Sequence, residues 1–464
     1  MKIGIMGWRA LMICAALVPI PAWADLYSAA AASEKQDFAK AFELYRELAE
    51  MGQPDAQETL AVMYVNGEGV KRDNVLGYGW AAIAMENGGG EAAKGIVAQL
   101  EAHLTDAARV RVAELKSRFG REALEKSLIP SVRTKPAEPN GPSCPMQSAV
   151  DPDRFYPPDA RLREISGVVV MEYVVYGDGR AHNPRAWYSF PPQVFIAAGR
   201  NVSMGNKARP AVENGIAVPC TIRIKVKFSI LDKQWRVLAA KKDVEEIRLK
   251  AEGGDPRSQL TYAMIVDGRP DLVDKEESAL RWYLRSAQAG LPSAQYALGA
   301  QALNGFGAER DERKGLAWLD KAAGAGSPEA QLELANYILR ESSDAKAIAA
   351  AQSLLMRAVE GGSRDAQFYL AAVWATAPEA ALRDPARALE LIGKAMADFE
   401  SNPIAFEIRA AARAHSGDFK AAQKDQSTAV SKAKKLGWNT APLEVRLAGY
   451  QSSKSWSGDL FAFY

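Results

Sequence analysis

The chain has 464 residues, 48% of them hydrophobic and 25% charged, with 58 Lys and Arg against 56 Asp and Glu. That is the balance of a globular protein with room for roughly two to four cores. It excludes a nucleic-acid binder, which needs a concentrated basic face.

At the N-terminus, Lys2 and Arg9 precede and flank an apolar stretch, Ala10 to Ile20, and Pro21-Ala22-Trp23-Ala24 supplies an A-x-A-like cleavage site before Asp25. Residues 1–24 therefore read as a secretory signal peptide, its apolar core short of the roughly 20 residues a membrane span needs. The expected location is the periplasm. The alternative is an inner-membrane anchor, should the segment be retained. Cleavage would remove two basic residues and Cys14, leaving a formal charge of zero and two cysteines, Cys144 and Cys220.

Residues 25–128 read as helical repeats. Gly52-Gln53-Pro54-Asp55-Ala56-Gln57 opens a helix through Tyr64, with proline tolerated in its first turn. Asn66-Gly67-Glu68-Gly69-Val70-Lys71-Arg72-Asp73 turns the chain into a helix carrying Trp80. Gly67-x-Gly69, like Gly305-x-Gly307 later, lies between helices, so these are turn glycines and not a phosphate cradle. Residues 129–150 contain Lys135-Pro136-Ala137-Glu138-Pro139, lack an apolar period and read as a linker.

From 151 to 233 the pattern changes. Val168–Tyr176 is β-branched and aromatic and closes on Gly177-Asp178-Gly179, a strand entering a hairpin. Arg180–Tyr188 forms a second strand, which Pro184 places at an edge or bulge. Pro191 and Pro192 open a helix carrying Phe195, Ile196 and Ala198. Thr221–Ile230 alternates, with Ile222, Ile224, Val226, Phe228 and Ile230 on one face and Arg223, Lys225 and Lys227 on the other. One face is expected to be buried and the other solvated. Cys144 and Cys220 bracket the unit. In an exported chain the pair invites a disulfide, two buried thiols being the alternative.

Residues 234–440 repeat. Glutamines at 259, 295, 331 and 367 follow glycines at 254, 290, 326 and 362, at a constant step of 36. Such a period marks a solenoid of helical hairpins. Each glycine closes one helix in a left-handed cap, and Asp255, Ser327 or Ser363 caps the next. Trp80, Trp282 and Trp318 each stand 28 residues after an opening glycine. Residues 441–464 are a C-terminal tail, expected to dock on the last repeat as an apolar cap.

The repeat residues resemble the Sel-one-like repeat, a relative of the tetratricopeptide repeat, best at 55–88 and 291–326. Residues 402–436 are closer to a plain tetratricopeptide unit. The resemblance implies a curved superhelix that binds proteins on its concave face. The middle segment resembles the C-terminal domain of TonB. The resemblance rests on Tyr156-Pro157, Ala160, Gly167-Val168-Val169, Asp178-Gly179-Arg180, Phe195 with Ala198, Pro210, Asn214-Gly215 and Val226-x-Phe228. The fold class is thus multidomain: α-helical solenoid repeats flanking a small α+β TonB-C-terminal-like domain. The family's mechanism implies that a partner segment adds as a strand beside Thr221–Ser229, with Arg223, Lys225, Val226, Lys227 and Phe228 as the partner-binding edge. Arg223, Lys225 and Lys227 read first as a solvated face that discourages edge aggregation, and second as a preference for an acidic peptide.

Two departures weigh against a working energy transducer. Residues 1–24 hold no His, Asp or Glu, and the spacer Pro130–Pro145 is too short to cross the periplasm. The expected function is a non-catalytic periplasmic interaction protein, with a TonB-type energy transducer on an uncleaved anchor as the alternative. Its partners would be envelope proteins, outer-membrane receptor peptides among them. No nucleic acid, metal or cofactor is expected, and membrane contact arises only with an uncleaved N-terminus. His103, His182 and His415 lie in different segments, and no H-E-x-x-H or G-x-S-x-G motif occurs, so no enzyme is expected.

Overall fold

The structure, a computed structural model, describes residues 25–131, 144, 146–162, 167–175, 181–190, 194–213, 215–218, 220–228, 234–268, 270–274, 277–305, 307–399, 402–436, 438–458 and 460. The signal segment 1–24, most of the linker and the Asp178-Gly179 turn lie outside the described residues.

Among the described residues seven α-helices come first: α1 Leu26–Glu34, α2 Phe38–Glu50, α3 Pro54–Asn66, α4 Asn74–Glu86, α5 Glu91–Leu100, α6 Asp106–Phe119 and α7 Arg121–Ser127. The local logic is clearest at α3. Gly52 (φ +87°) ends the preceding turn, the Gln53 side chain accepts from Ala56 N–H, Pro54 occupies the first turn, and Gly67 (φ +78°) closes the helix left-handed. Gly69 (φ +68°) is more constrained. A methyl group there would lie 2.0 Å from the Phe38 carbonyl oxygen. Gly69→Ala is therefore expected to cost at least about 2 kcal/mol in urea unfolding. Gly88→Ala, at φ +96° but in open space, is expected to cost only about 1 kcal/mol.

The middle unit contains β1 Met146–Ser148, α8 Pro158–Leu162, β2 Gly167–Val175, β3 Ala181–Phe190, α9 Ile196–Gly205, β4 Lys207–Ala208, β5 Ala211–Glu213, β6 Ile216–Val218 and β7 Cys220–Phe228. Three of these strands form an antiparallel sheet in the order β3-β2-β7. The short pairs β1-β4 and β5-β6 were not foreseen, being too brief to show a period.

Among the described residues twelve α-helices follow: α10 Gln234–Glu252, α11 Pro256–Gly268, α12 Ala279–Gln288, α13 Pro292–Asn304, α14 Glu312–Gly324, α15 Pro328–Glu341, α16 Ala345–Glu360, α17 Arg364–Thr376, α18 Pro385–Phe399, α19 Pro403–His415, α20 Phe419–Leu436 and α21 Ala441–Gln451. The 36-residue glutamine step has a physical cause. Gln259, Gln295 and Gln331 are buried, and each amide donates to a carbonyl eight residues back, on Ala251, Ala287 and Ala323, at 3.1–3.2 Å. Gln57 does the same to Ala49 at 3.0 Å. Each side chain ties the start of one helix to the end of the previous one, adding a second donor to a carbonyl that also accepts the N–H of the glycine three residues on.

The two helical arrays share one core. Trp318 donates its indole N–H to the Leu128 carbonyl at 2.7 Å, and the buried Lys314 reaches the Glu125 and Ile129 carbonyls at 2.6 and 2.9 Å. Together they satisfy the carbonyls at the end of α7, which no intrahelical donor can reach. Leu26 N–H to Ala289 and Gln288 to the Met51 carbonyl hold the other end of this contact.

The terminal segment begins as helix α21, where a plain tail was expected, and then runs extended. Gly458 N–H donates to the Thr376 carbonyl at 2.7 Å, Leu460 is buried in the core of the last hairpins, and His415 Nε2 lies 3.0 Å from the Trp456 carbonyl. Burial holds the His415 imidazole below its ordinary value, against the opposing pull of that carbonyl.

Candidate partner-binding edge

The three-stranded sheet has two edges, and they differ. β2 and β3 pair with two register shifts, and the shift between Glu172 and Val174 falls opposite Pro184. Proline and bulges are devices that close an edge to addition. β7 pairs with β2 without a shift, from Gly167↔Phe228 to Val175↔Cys220. It contains no proline, and among the described residues no strand lies on its other side. β7 is therefore the more regular of the two edges.

Its apolar face is fixed by an aromatic trio. The Phe195 and Phe228 rings stack at 4.7 Å with an interplanar angle of 8°, and Tyr156 meets both edge-on at 5.8 and 5.5 Å. Ala160, Val169, Met171, Ala198, Val202 and Val226 complete this core. Helix α9 lies close because Gly199 leaves space, a methyl there falling 2.6 Å from Val169 Cγ1. The structure thus gathers Tyr156, Phe195 and Phe228. Pro157 precedes α8, Gly167 opens β2, and Gly215 (φ +81°) turns β5 into β6. Cys144 and Cys220 are bonded to each other, tying the start of β7 to the entry of the unit across a separation of 76 residues.

The expected partner-binding residues divide. Val226 and Phe228 have buried side chains, so they offer a partner main chain only. Lys225 and Lys227 are exposed. Arg223 was expected on a solvated face, but its side chain is only 12% exposed. It lies 3.2 Å from Glu172, its register partner on β2, and 3.6 Å from Asp267 on α11. The cause is that this face of the sheet is covered by the repeats. Val168 and Val170 pack on Met264, Tyr296 and Ala300. Arg200 of α9 approaches Asp365 at 3.4 Å and stands over the Phe399 ring at 5.3 Å.

Sequence reasoning missed Glu172, Asp267, Arg200 and Asp365. For Glu172 a signal existed: a carboxylate in the middle of an apolar strand has to find a partner. For the others, nothing local distinguished them from surface charges.

A family model described as the Gram-negative bacterial TonB protein C-terminal matches residues 152–230. The Sel1 repeat model matches four times, at 26–53, 54–89, 266–291 and 292–327. No curated protein matches the chain. Among solved structures, similarity is found to a protective antigen present in uropathogenic Escherichia coli strains and displaying an SLR fold. The identity is 19% over 90% of this chain and 69% of that one, with a TM-score of 0.35. A Sel1 repeat protein from Oxalobacter formigenes is 20% identical over 42% of this chain and 88% of that one, with a TM-score of 0.33. Among the described residues no helix is long and apolar enough to cross a membrane. The families found are non-catalytic and point to protein interaction. The chain thus carries, at residues 152–230, a segment similar to the C-terminal domain of TonB, set among segments similar to the Sel1 repeat.

Proposed function

We propose that this is a non-catalytic interaction protein of the periplasm that captures an extended segment of an envelope protein as a fourth strand beside β7. The observation that carries the reading is the contrast between the edges: β3 is irregular and contains Pro184, whereas β7 is regular, proline-free and, among the described residues, paired on one side. Main-chain hydrogen bonds would supply affinity, and alternate side chains selectivity. The repeats act chiefly as a holder. First helices of the hairpins (α11, α13, α17) meet the β-unit, and α12 and α14 meet the N-terminal array. These parts of the repeat surface are occupied within the chain itself.

The test uses the full chain and a strand-forming peptide with its backbone N-methylated at alternate residues, every side chain kept. Methylation is expected to abolish the binding shown by the parent peptide in fluorescence anisotropy. Equal binding by the two would sink strand addition, because side chains alone would then account for it.

A further inference from the structure

The centre of the candidate edge is also a point of attachment to the repeats. Arg223 sits midway along β7 and faces two carboxylates of different standing. Glu172 is directly across the ladder on β2, its side chain 2% exposed, so the sheet itself fixes it. Asp267 belongs to another module, at the end of α11, with its side chain 28% exposed. Its Oδ2 is buried, 3.6 Å from the Arg223 Nη1 and without a hydrogen bond. That is a charge held near a guanidinium but beyond good hydrogen-bond geometry.

A strand added beside β7 places one residue across from Arg223 on this same face, with its Cβ roughly 4.5–5.5 Å away. Lys225 and Lys227 point to the same face and are exposed. The three cations favour acidic residues at alternate positions of the newcomer, while its other face continues the apolar row of Ile222 and Val226. A carboxylate across from Arg223 would join Glu172 and Asp267 around one guanidinium, an added negative charge that a largely buried site disfavours. Glu172 cannot withdraw without breaking the ladder. Asp267 can, since it regains water when α11 moves off.

Resting on the strand-addition reading above, we propose that an added strand and the repeat array compete for Arg223, and that the strand carries a carboxylate across from it. Binding then weakens the hold of the array on the β-unit, leaving the Val168–Val170 seam and the Arg200–Asp365 pair. By reciprocity, anything that weakens that hold tightens binding by the same factor.

The experiment measures binding to the full chain of two fluorescein-labelled peptides, Val-Glu-Val-Glu-Val-Glu-Val and its lysine counterpart, for wild type and Asp267→Asn. The acidic peptide is expected to bind at least tenfold more tightly than the basic one. Asp267→Asn is expected to tighten the acidic peptide a further several-fold, with circular dichroism unchanged. An unchanged Kd for the acidic peptide on Asp267→Asn overturns the competition but leaves strand addition standing. Equal affinity for the two peptides overturns the carboxylate requirement. If neither peptide binds, strand addition and the proposal both fall.

Discussion

Glu407→Ala is expected to destabilise the C-terminal repeats by about 3–5 kcal/mol, because it strands a buried cation. Glu407 and Arg446 form a charge-paired hydrogen bond with side chains only 0% and 2% exposed. The Arg446 guanidinium also stands 4.2 Å from the Trp456 ring, so one ion pair joins α19, α21 and the terminal segment. The neighbouring Tyr450 is fully buried, and burial pushes its phenol well above its ordinary value. Two charges replaced together should cost far less than one. Glu407→Leu with Arg446→Met is expected to recover most of the loss, since desolvating a pair offsets much of its attraction. In a solenoid, stability is shared between neighbours, so the damage should stay local. Amide exchange is expected to accelerate at 403–458 and to stay unchanged at 26–127. A single variant as harmful as the double one would mean that packing, not charge, governs the site.

How far the sequence carries can be judged residue by residue. The solenoid was legible because its determinants are local and repeated: a left-handed glycine, a capping side chain and a glutamine at one step of 36. The first strand of the β-unit was legible from its β-branched and aromatic content, the last from alternation, and Pro184 marked the irregular edge. What failed was the solvated face assigned to Arg223. Alternation tells which side chains share a face; it says nothing of what lies against that face. The strand Val168–Val175 carried the missing hint, since an apolar run without alternation is buried on both sides. Here those sides are α9 and the array. Trp318 and Lys314 show the same limit. Their repeat position was visible, but their partners lie about 190 residues away in α7 and just beyond it.

Phe228→Ala is expected to remove about 3–5 kcal/mol from the β-unit, the usual cost of emptying a buried aromatic site. The residue is 1% exposed, stacked on Phe195, edge-on to Tyr156, and its strand register ends against Gly167. The matched unit, residues 152–230, is small, and a domain of that size holds only about 4–12 kcal/mol in all. The Cys144–Cys220 bond adds to this by restricting the unfolded chain, by about 4–5 kcal/mol for a 76-residue separation on the chain-entropy model. The two contributions should therefore show themselves in combination. Oxidised Phe228→Ala is expected to keep its sheet, with faster amide exchange at 167–175 and 220–228. The reduced variant is expected to lose the sheet while helical circular dichroism persists, because the repeats keep their own cores. Peptide capture at β7 should vanish with the sheet, since an edge exists only while β2 holds the strand in register. Protected strand amides in the reduced variant would show that the aromatic trio is not what holds this edge in place.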